Sequence, residues 1–137
     1  MKNILVLCTG NSCRSQMAHG YLEHFAGKKA RIYSAGIAVH GLHPFAIGIM
    51  AEDGIDISTH TSNHIDEYSG IRFHYVITVC DHAEENCPFL PGTAGKIHHN
   101  FNDPSKATGS AEALTTAFRK TREEIKAFCK DFTTRYL

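Results

Sequence analysis

Residues 1–15 read Met-Lys-Asn-Ile-Leu-Val-Leu-Cys-Thr-Gly-Asn-Ser-Cys-Arg-Ser. Residues 3–7 carry a short apolar run, the pattern of a strand buried in the middle of a parallel sheet. A polar, glycine-containing turn follows. From about Ser15 the pattern becomes helical, with Met17, Tyr21, Leu22 and Phe25 on one stripe. A chain that turns tightly between a strand and a helix aims several backbone N–H groups into one bowl, a nest for a tetrahedral anion. The helix N-terminus adds its dipole. The bowl residues are Thr9, Gly10, Asn11, Ser12, Cys13, Arg14 and Ser15. Arg14 offers a planar fork of donors to two oxygens of the guest. At the rim of this positive bowl, Cys8 is expected to ionise below the ordinary thiol value of about 8.5. A thiolate facing the central atom of a bound oxyanion is a nucleophile in position. Ser15 is placed to donate a hydrogen bond to that sulfur, and Asn11 to brace the loop. Neither glycine-rich nucleotide-loop pattern is present.

Working outward, Arg31 to Ala35 read as a second strand and Phe45 to Glu52 as a helix, with a short helix around Ile65 to Tyr68. Phe73 to Val79 are β-branched and aromatic, a third strand that delivers Cys80 at its end. Residues 81–87 are helix-compatible, and Pro88 and Pro91-Gly92 break the chain. Lys96 to Asn100 suit a short fourth strand. From Ser110 onward a long helix carries Leu114, Phe118, Ile125, Phe128 and Phe132, with Cys129 beside that stripe. Strands alternating with helices predict one parallel α/β domain over residues 1–137. In such sheets ligands sit at the carboxyl ends of the strands. Cys8, Cys80 and the turn at 101–105 all fall there.

Composition narrows the function. Lys plus Arg and Asp plus Glu both number 14, so no basic surplus points to nucleic acid. Hydrophobic residues make up 42%, enough for a core. No apolar run approaches the roughly 20 residues of a membrane helix, and the N-terminal run is shorter than the roughly 7–15 residues of a secretory core. A cytosolic chain is expected. Five cysteines, at 8, 13, 80, 87 and 129, then favour catalytic or redox roles over structural disulfides.

The loop Cys8-Thr9-Gly10-Asn11-Ser12-Cys13-Arg14-Ser15 resembles the Cys-X5-Arg-Ser signature of the low-molecular-weight tyrosine phosphatase superfamily. Continued through Gln16-Met17-Ala18, it is similar to that superfamily's thioredoxin-coupled arsenate reductases. The likeness extends through Tyr33-Ser34-Ala35-Gly36, Gly54-Ile55-Asp56-Ile57-Ser58, Val79-Cys80 to Cys87-Pro88, and Phe101-Asn102-Asp103-Pro104. It implies a three-layer sandwich around a four-stranded parallel sheet of order 2-1-3-4, the phosphotyrosine phosphatase I-like fold. It further implies Asp103 as general acid, no cofactor, and a monomer reducing arsenate to arsenite, with phosphate or sulfate as analogues. In the implied relay Cys8 forms the arseno adduct, Cys80 attacks Cys8, and Cys87 attacks Cys80. The product is a Cys80–Cys87 disulfide that thioredoxin reduces, with glutaredoxin open as another donor.

Two other readings stand beside this one: a small tyrosine phosphatase hydrolysing phosphoesters through Cys8, and a soft-metal or arsenite-binding module using the same thiols. Tyrosine phosphatases of the superfamily usually follow the Asp-Pro with tyrosines; here Ser105-Lys106 follow, which favours a small inorganic anion. Some related reductases hold potassium near the anion loop through acidic residues. His19 and Asn63 stand at those positions, so little dependence on potassium is expected. The pairs His40/His43, His60/His64 and His98/His99 lack zinc-site spacing and read as solvated, with no metal expected. Geometry adds a constraint on the relay. Seven helical steps from Cys80 to Cys87 span about 10 Å, whereas a disulfide needs Cα atoms roughly 4.4–6.8 Å apart. The segment Asp81 to Asn86 must therefore unwind or loop on oxidation.

Overall fold

The computed structural model describes residues 1–87, 90, 92, 93 and 95–137. Pro88 and Pro91, read above as chain breakers, lie outside the described residues. Strand β1 (Lys2–Cys8) is the apolar run, and Ile4, Leu5, Val6 and Leu7 are completely buried. It is central: β2 (Ala30–Gly36) pairs with it on one side and β3 (Tyr75–Thr78) on the other, both parallel. Strand β4 (Gly95–His98) extends the sheet beyond β3, giving the order β2-β1-β3-β4. The expected four parallel strands in the order 2-1-3-4 are all present. The third strand starts two residues later than its composition suggests. Phe73 packs edge-on against Tyr33 and Tyr68, and the Asn3 amide donates to the His74 ring nitrogen, although the His74 backbone still bonds the Asn3 carbonyl and the Gly95 amide.

Helix α1 (Arg14–Ala26) and helix α4 (Ala111–Tyr136) pack together on one face, with α2 (Pro44–Glu52) alongside. Gly20 allows this approach, because a Cβ there would meet Ile57 and Met50 within 3 Å. Ser110 caps α4 by accepting the Ala113 amide. Its buried stripe is Phe118, Thr121, Ile125, Cys129 and Phe132. Cys129 thus lies on the stripe itself, while Phe128 is only half-buried. Beyond the sheet's other side, a 3-10 turn (Ile65–Tyr68) contributes Tyr68 to the aromatic cluster with Tyr33 and Phe73. Helix α3 (Asp81–Glu85) is a single short turn following β3. No helix among the described residues is long and apolar enough to cross a membrane.

Ile125 has no solvent exposure and lies on the buried stripe of α4, whereas Arg119 reaches a solvent-exposed pair with Glu52. Ile125→Ala is therefore expected to lose about 2–5 kcal/mol in urea unfolding. Arg119→Ala is expected to move the midpoint little, since exposed ion pairs contribute weakly.

Candidate active site

The bowl is built by where the carbonyls go. The Cys8 carbonyl accepts from the Ile37 amide, Thr9 from Ala38, Gly10 from His40, Ser12 from His43, and Cys13 from Met17. The Asn11 carbonyl accepts from the Gln16 side chain. Every carbonyl from Cys8 to Cys13 is thus tied to the surrounding chain. In a planar peptide the N–H opposes the C=O, so the loop amides turn inward to a cavity of about 310 Å³. Asn11 holds the turn. It is fully buried at φ 48°, donates from Nδ2 to Ser15 Oγ and accepts the Asn63 amide on Oδ1. The expected brace is present. Gly10 has no room for a side chain, because a Cβ would strike the His40 ring.

Arg14, the first residue of α1, reaches the bowl from its far wall. Its Nη1 donates to the Phe101 carbonyl at 3.0 Å and its Nη2 lies 3.6 Å from Asp103. Its Nε–H is buried with no partner among the described residues. An anion in the bowl is the acceptor such a donor requires. Asp103 also accepts from Ser105, through both amide and hydroxyl, and from the Cys13 thiol. Burial alone would raise its carboxyl, but the Ser105 bonds and the Arg14 charge outweigh that and hold it below the ordinary carboxylate range. At neutral pH Asp103 is therefore a carboxylate at rest. Ser105 and Lys106 line the mouth, and no aromatic side chain stands among the described lining residues except the His40 imidazole.

The parallel pairing of β1 with β3 sets Cys8 and Cys80 side by side at the carboxyl ends, where the Val79 amide still bonds the Leu7 carbonyl. Both thiols are nearly inaccessible at 3% exposure. Cys80 Sγ lies 3.2 Å from Thr9 Oγ1, with the Cys8 thiol and the Ala83 amide at the start of α3 close enough to influence its charge. The Cys8 bond foremost, with Thr9, Ala83 and the Arg14 charge, lowers Cys80 to about 5 despite its burial. Cys8, which donates that bond from a buried position, is pushed up even though Arg14 and the Thr9 amide oppose it. The two thiols titrate as a coupled pair with Arg14 lowering both, so the first charge formed belongs to the pair. The expectation of a low pKa at Cys8 thus becomes one about the Cys8–Cys80 pair. Ser15, expected to serve the Cys8 sulfur, instead holds Asn11. Cys13 is a buried thiol raised to about 12 by burial and by Asp103.

Cys87 is half-buried just beyond α3, its amide directed at the Glu84 carbonyl. It borders a small cavity of about 70 Å³ with Thr78, Glu84 and His98. In this conformation α3 stands between Cys80 and Cys87. Only Ala83 of α3 is buried. Polar latches hold the rest: His98 pairs with Asp81 at 2.7 Å and Glu84 at 3.4 Å, and Asn100 accepts the Asp81 amide. The contact of Thr9 with Cys80, the anchoring of the turn by Gln16 and the pairing of His98 with α3 are roles that sequence reasoning passed over, and no local pattern marks them.

The comparisons with known proteins agree with this architecture. The family described as low molecular weight phosphotyrosine protein phosphatase matches residues 3–136. The chain belongs to that family. It is 45% identical over 131 residues to the arsenate reductase of Halalkalibacterium halodurans, covering 96% of this chain and 94% of the relative. Among solved structures it is similar to "An arsenate reductase in the phosphate binding state", with TM-score 0.83 and 28% identity over the whole of both chains. It is also similar to "An arsenate reductase in oxidized state", with TM-score 0.84 and 28% identity over 98% of each.

Ultraviolet thiolate absorbance of the reduced chain is expected to persist from neutral pH downward and to fall through about pH 5. Cys80→Ser is expected to remove that low-pH transition. His19 bonds Ser34 at 2.7 Å where a related reductase would present an acid. Exchanging potassium for sodium at matched ionic strength is accordingly expected to leave anion affinity and turnover within about twofold.

Proposed function

We propose that this chain reduces arsenate to arsenite through Cys8, Cys80 and Cys87. The observation that carries the reading is a second buried sulfur, Cys80, set beside Cys8 by the pairing of β1 with β3 at the rim of an anion bowl. A hydrolase needs one sulfur and water. A second sulfur beside the nucleophile is what an electron transfer needs.

The arsenate monoanion enters with its oxygens on the inward amides and on Arg14. Cys8 Sγ bonds to arsenic while one arsenic–oxygen bond breaks. The departing hydroxyl takes up the Cys8 proton and leaves as water. Asp103, ionised at rest, passes that proton across rather than storing it. Cys80 stays a thiolate throughout and attacks Cys8 Sγ. The sulfur–sulfur bond forms, the sulfur–arsenic bond breaks, and arsenic keeps the electron pair, falling from the +5 to the +3 state. Arsenite takes protons from solvent and departs. Cys87 then loses its proton and attacks Cys80 Sγ, releasing Cys8 as a thiolate and leaving a Cys80–Cys87 disulfide. A dithiol protein of the thioredoxin type returns two electrons to that bond. Three working thiols suit a reducing cytoplasm.

The last exchange requires α3 to open. With one buried residue and a single turn, it forfeits little apolar burial and few helical bonds on doing so. Unfolding it also carries the disulfide outward to its reductant.

Thiol mapping by mass spectrometry after one equivalent of arsenate tests the relay. The wild-type chain is expected to join 80 to 87, and Cys87→Ser to trap 8 joined to 80. The oxidised protein is expected to lose amide-exchange protection across 81–87. Phosphoester hydrolysis that persists in Cys80→Ser, without arsenate-dependent disulfides in the wild type, would assign the site to a phosphatase instead.

A further inference from the structure

Away from the anion bowl, two imidazoles and a carboxylate meet at one point. His19 and Glu23 lie one turn apart on α1, and His60 comes from the loop after α2. His60 Nε2 is 3.1 Å from Glu23 Oε1, and His19 Nε2 is 3.5 Å from the same oxygen. The two imidazole rings stack with centroids 4.2 Å apart. All three ligand atoms lie within 4.8 Å of one another. The spacing of the histidines along the chain shows none of this, and His60, read from sequence as solvated, has a side chain only 12% exposed.

The tautomer of His60 is settled by its neighbour. Gln16 donates both Nε2 hydrogens, to the Thr61 carbonyl at 2.9 Å and the Asn11 carbonyl at 3.2 Å. Its Oε1 is therefore an acceptor, and His60 Nδ1, 3.1 Å away, carries the hydrogen. In the neutral ring, His60 Nε2 then presents a bare lone pair to a carboxylate oxygen. Two acceptors facing each other at that distance need a cation between or beside them.

We propose that His19, Glu23 and His60 form a binding site for a late first-row divalent metal ion of the zinc class. Two imidazole nitrogens and one carboxylate oxygen make a donor set that zinc, cobalt and nickel favour over alkali or alkaline-earth ions. A tetrahedral centre with bonds of about 2.0–2.1 Å has ligand–ligand edges of roughly 3.3 Å, and the separations of 3.1 and 3.5 Å bracket that value. The outer hydrogen bonds are already in place: His19 Nδ1 with Ser34 Oγ at 2.7 Å, and His60 Nδ1 with Gln16. Glu23, half exposed, leaves one side open for a fourth ligand and for access. A bound ion would clip α1 to the loop at residue 60. Through Gln16 it would stiffen the Asn11 turn of the anion loop. The site stands on its own geometry and does not depend on the thiol relay.

Because the cysteines also bind such metals, cobalt(II) is the probe, added to the reduced full chain. One equivalent is expected to give visible d–d bands without a thiolate-to-cobalt charge-transfer band. Glu23→Gln and His60→Gln are each expected to weaken binding about tenfold or more. With diamagnetic zinc, the His19 and His60 Nε2 resonances are expected to shift in nitrogen NMR while His60 Nδ1 stays protonated. Glu23→Gln changes a half-exposed side chain, so its folding is readily checked by circular dichroism. A charge-transfer band as the main signal, equal affinity in both variants, or no saturable binding would each overturn the proposal.

Discussion

The outward commitment of six consecutive carbonyls, from Cys8 to Cys13, is the constraint from which the rest of the site follows. A peptide unit cannot turn its oxygen one way without turning its nitrogen the other. Segment 37–43 and Gln16 therefore create the anion bowl without touching its contents. The cost is a non-glycine residue at positive φ, Asn11, and it is met by burying that side chain in a complete set of hydrogen bonds. Arg14 closes the bowl from the helix side, with one buried donor left for the guest.

The sheet supplies the second requirement. Because β1 is central, two strands flank it, and the chain leaving each one passes close to the nucleophile. β2 delivers the segment that orients the loop, and β3 delivers Cys80. One strand order thus both shapes the bowl and sets a second sulfur against the first. A sulfur brought only to an outer strand could not share a proton with Cys8. The third sulfur is held differently, beyond a one-turn helix that is latched by polar contacts rather than packed. That difference matches the order of use in the proposed relay, where the first two thiols must be rigidly adjacent and the third must arrive.

Much of this was legible in the chain itself. The run Ile4 to Leu7, the Cys-X5-Arg loop and the α4 stripe are local patterns whose periods survive folding, and they place β1, the bowl and the long helix correctly. What escaped is set by distance in space. Thr9 matters because β3 brings Cys80 to it across 71 positions. Gln16 matters because it ties Asn11 to Thr61. His60 finds Glu23 across 37 positions, and no period along the chain records that.

The pairing of Cys8 with Cys80 bears on why one scaffold can serve hydrolysis or reduction. Both reactions begin with a sulfur attacking a cradled tetrahedral anion, and both leave an ester of Cys8. The fate of that ester depends on which nucleophile is nearest and charged. Here the nearest is Cys80, whose ionisation Thr9, the Ala83 amide and the Arg14 charge favour, and which is buried at 3% exposure. Water must compete from the solvent side of the cavity, past Lys106 and Asp103, and Asp103 is committed to Arg14 and Ser105. A neighbouring thiolate attacks the Cys8 sulfur and expels the oxyanion without diffusing in, whereas water must reach the central atom and be deprotonated to expel the Cys8 sulfur. The same contact restrains the first step, because Cys8 must surrender the proton it donates to Cys80. Arg14, the Thr9 amide and the dipole of α1 favour that surrender once an anion lies in the bowl. In the proposed relay the second sulfur thus stands ready beside the first, and the nucleophile is left to be activated by its substrate.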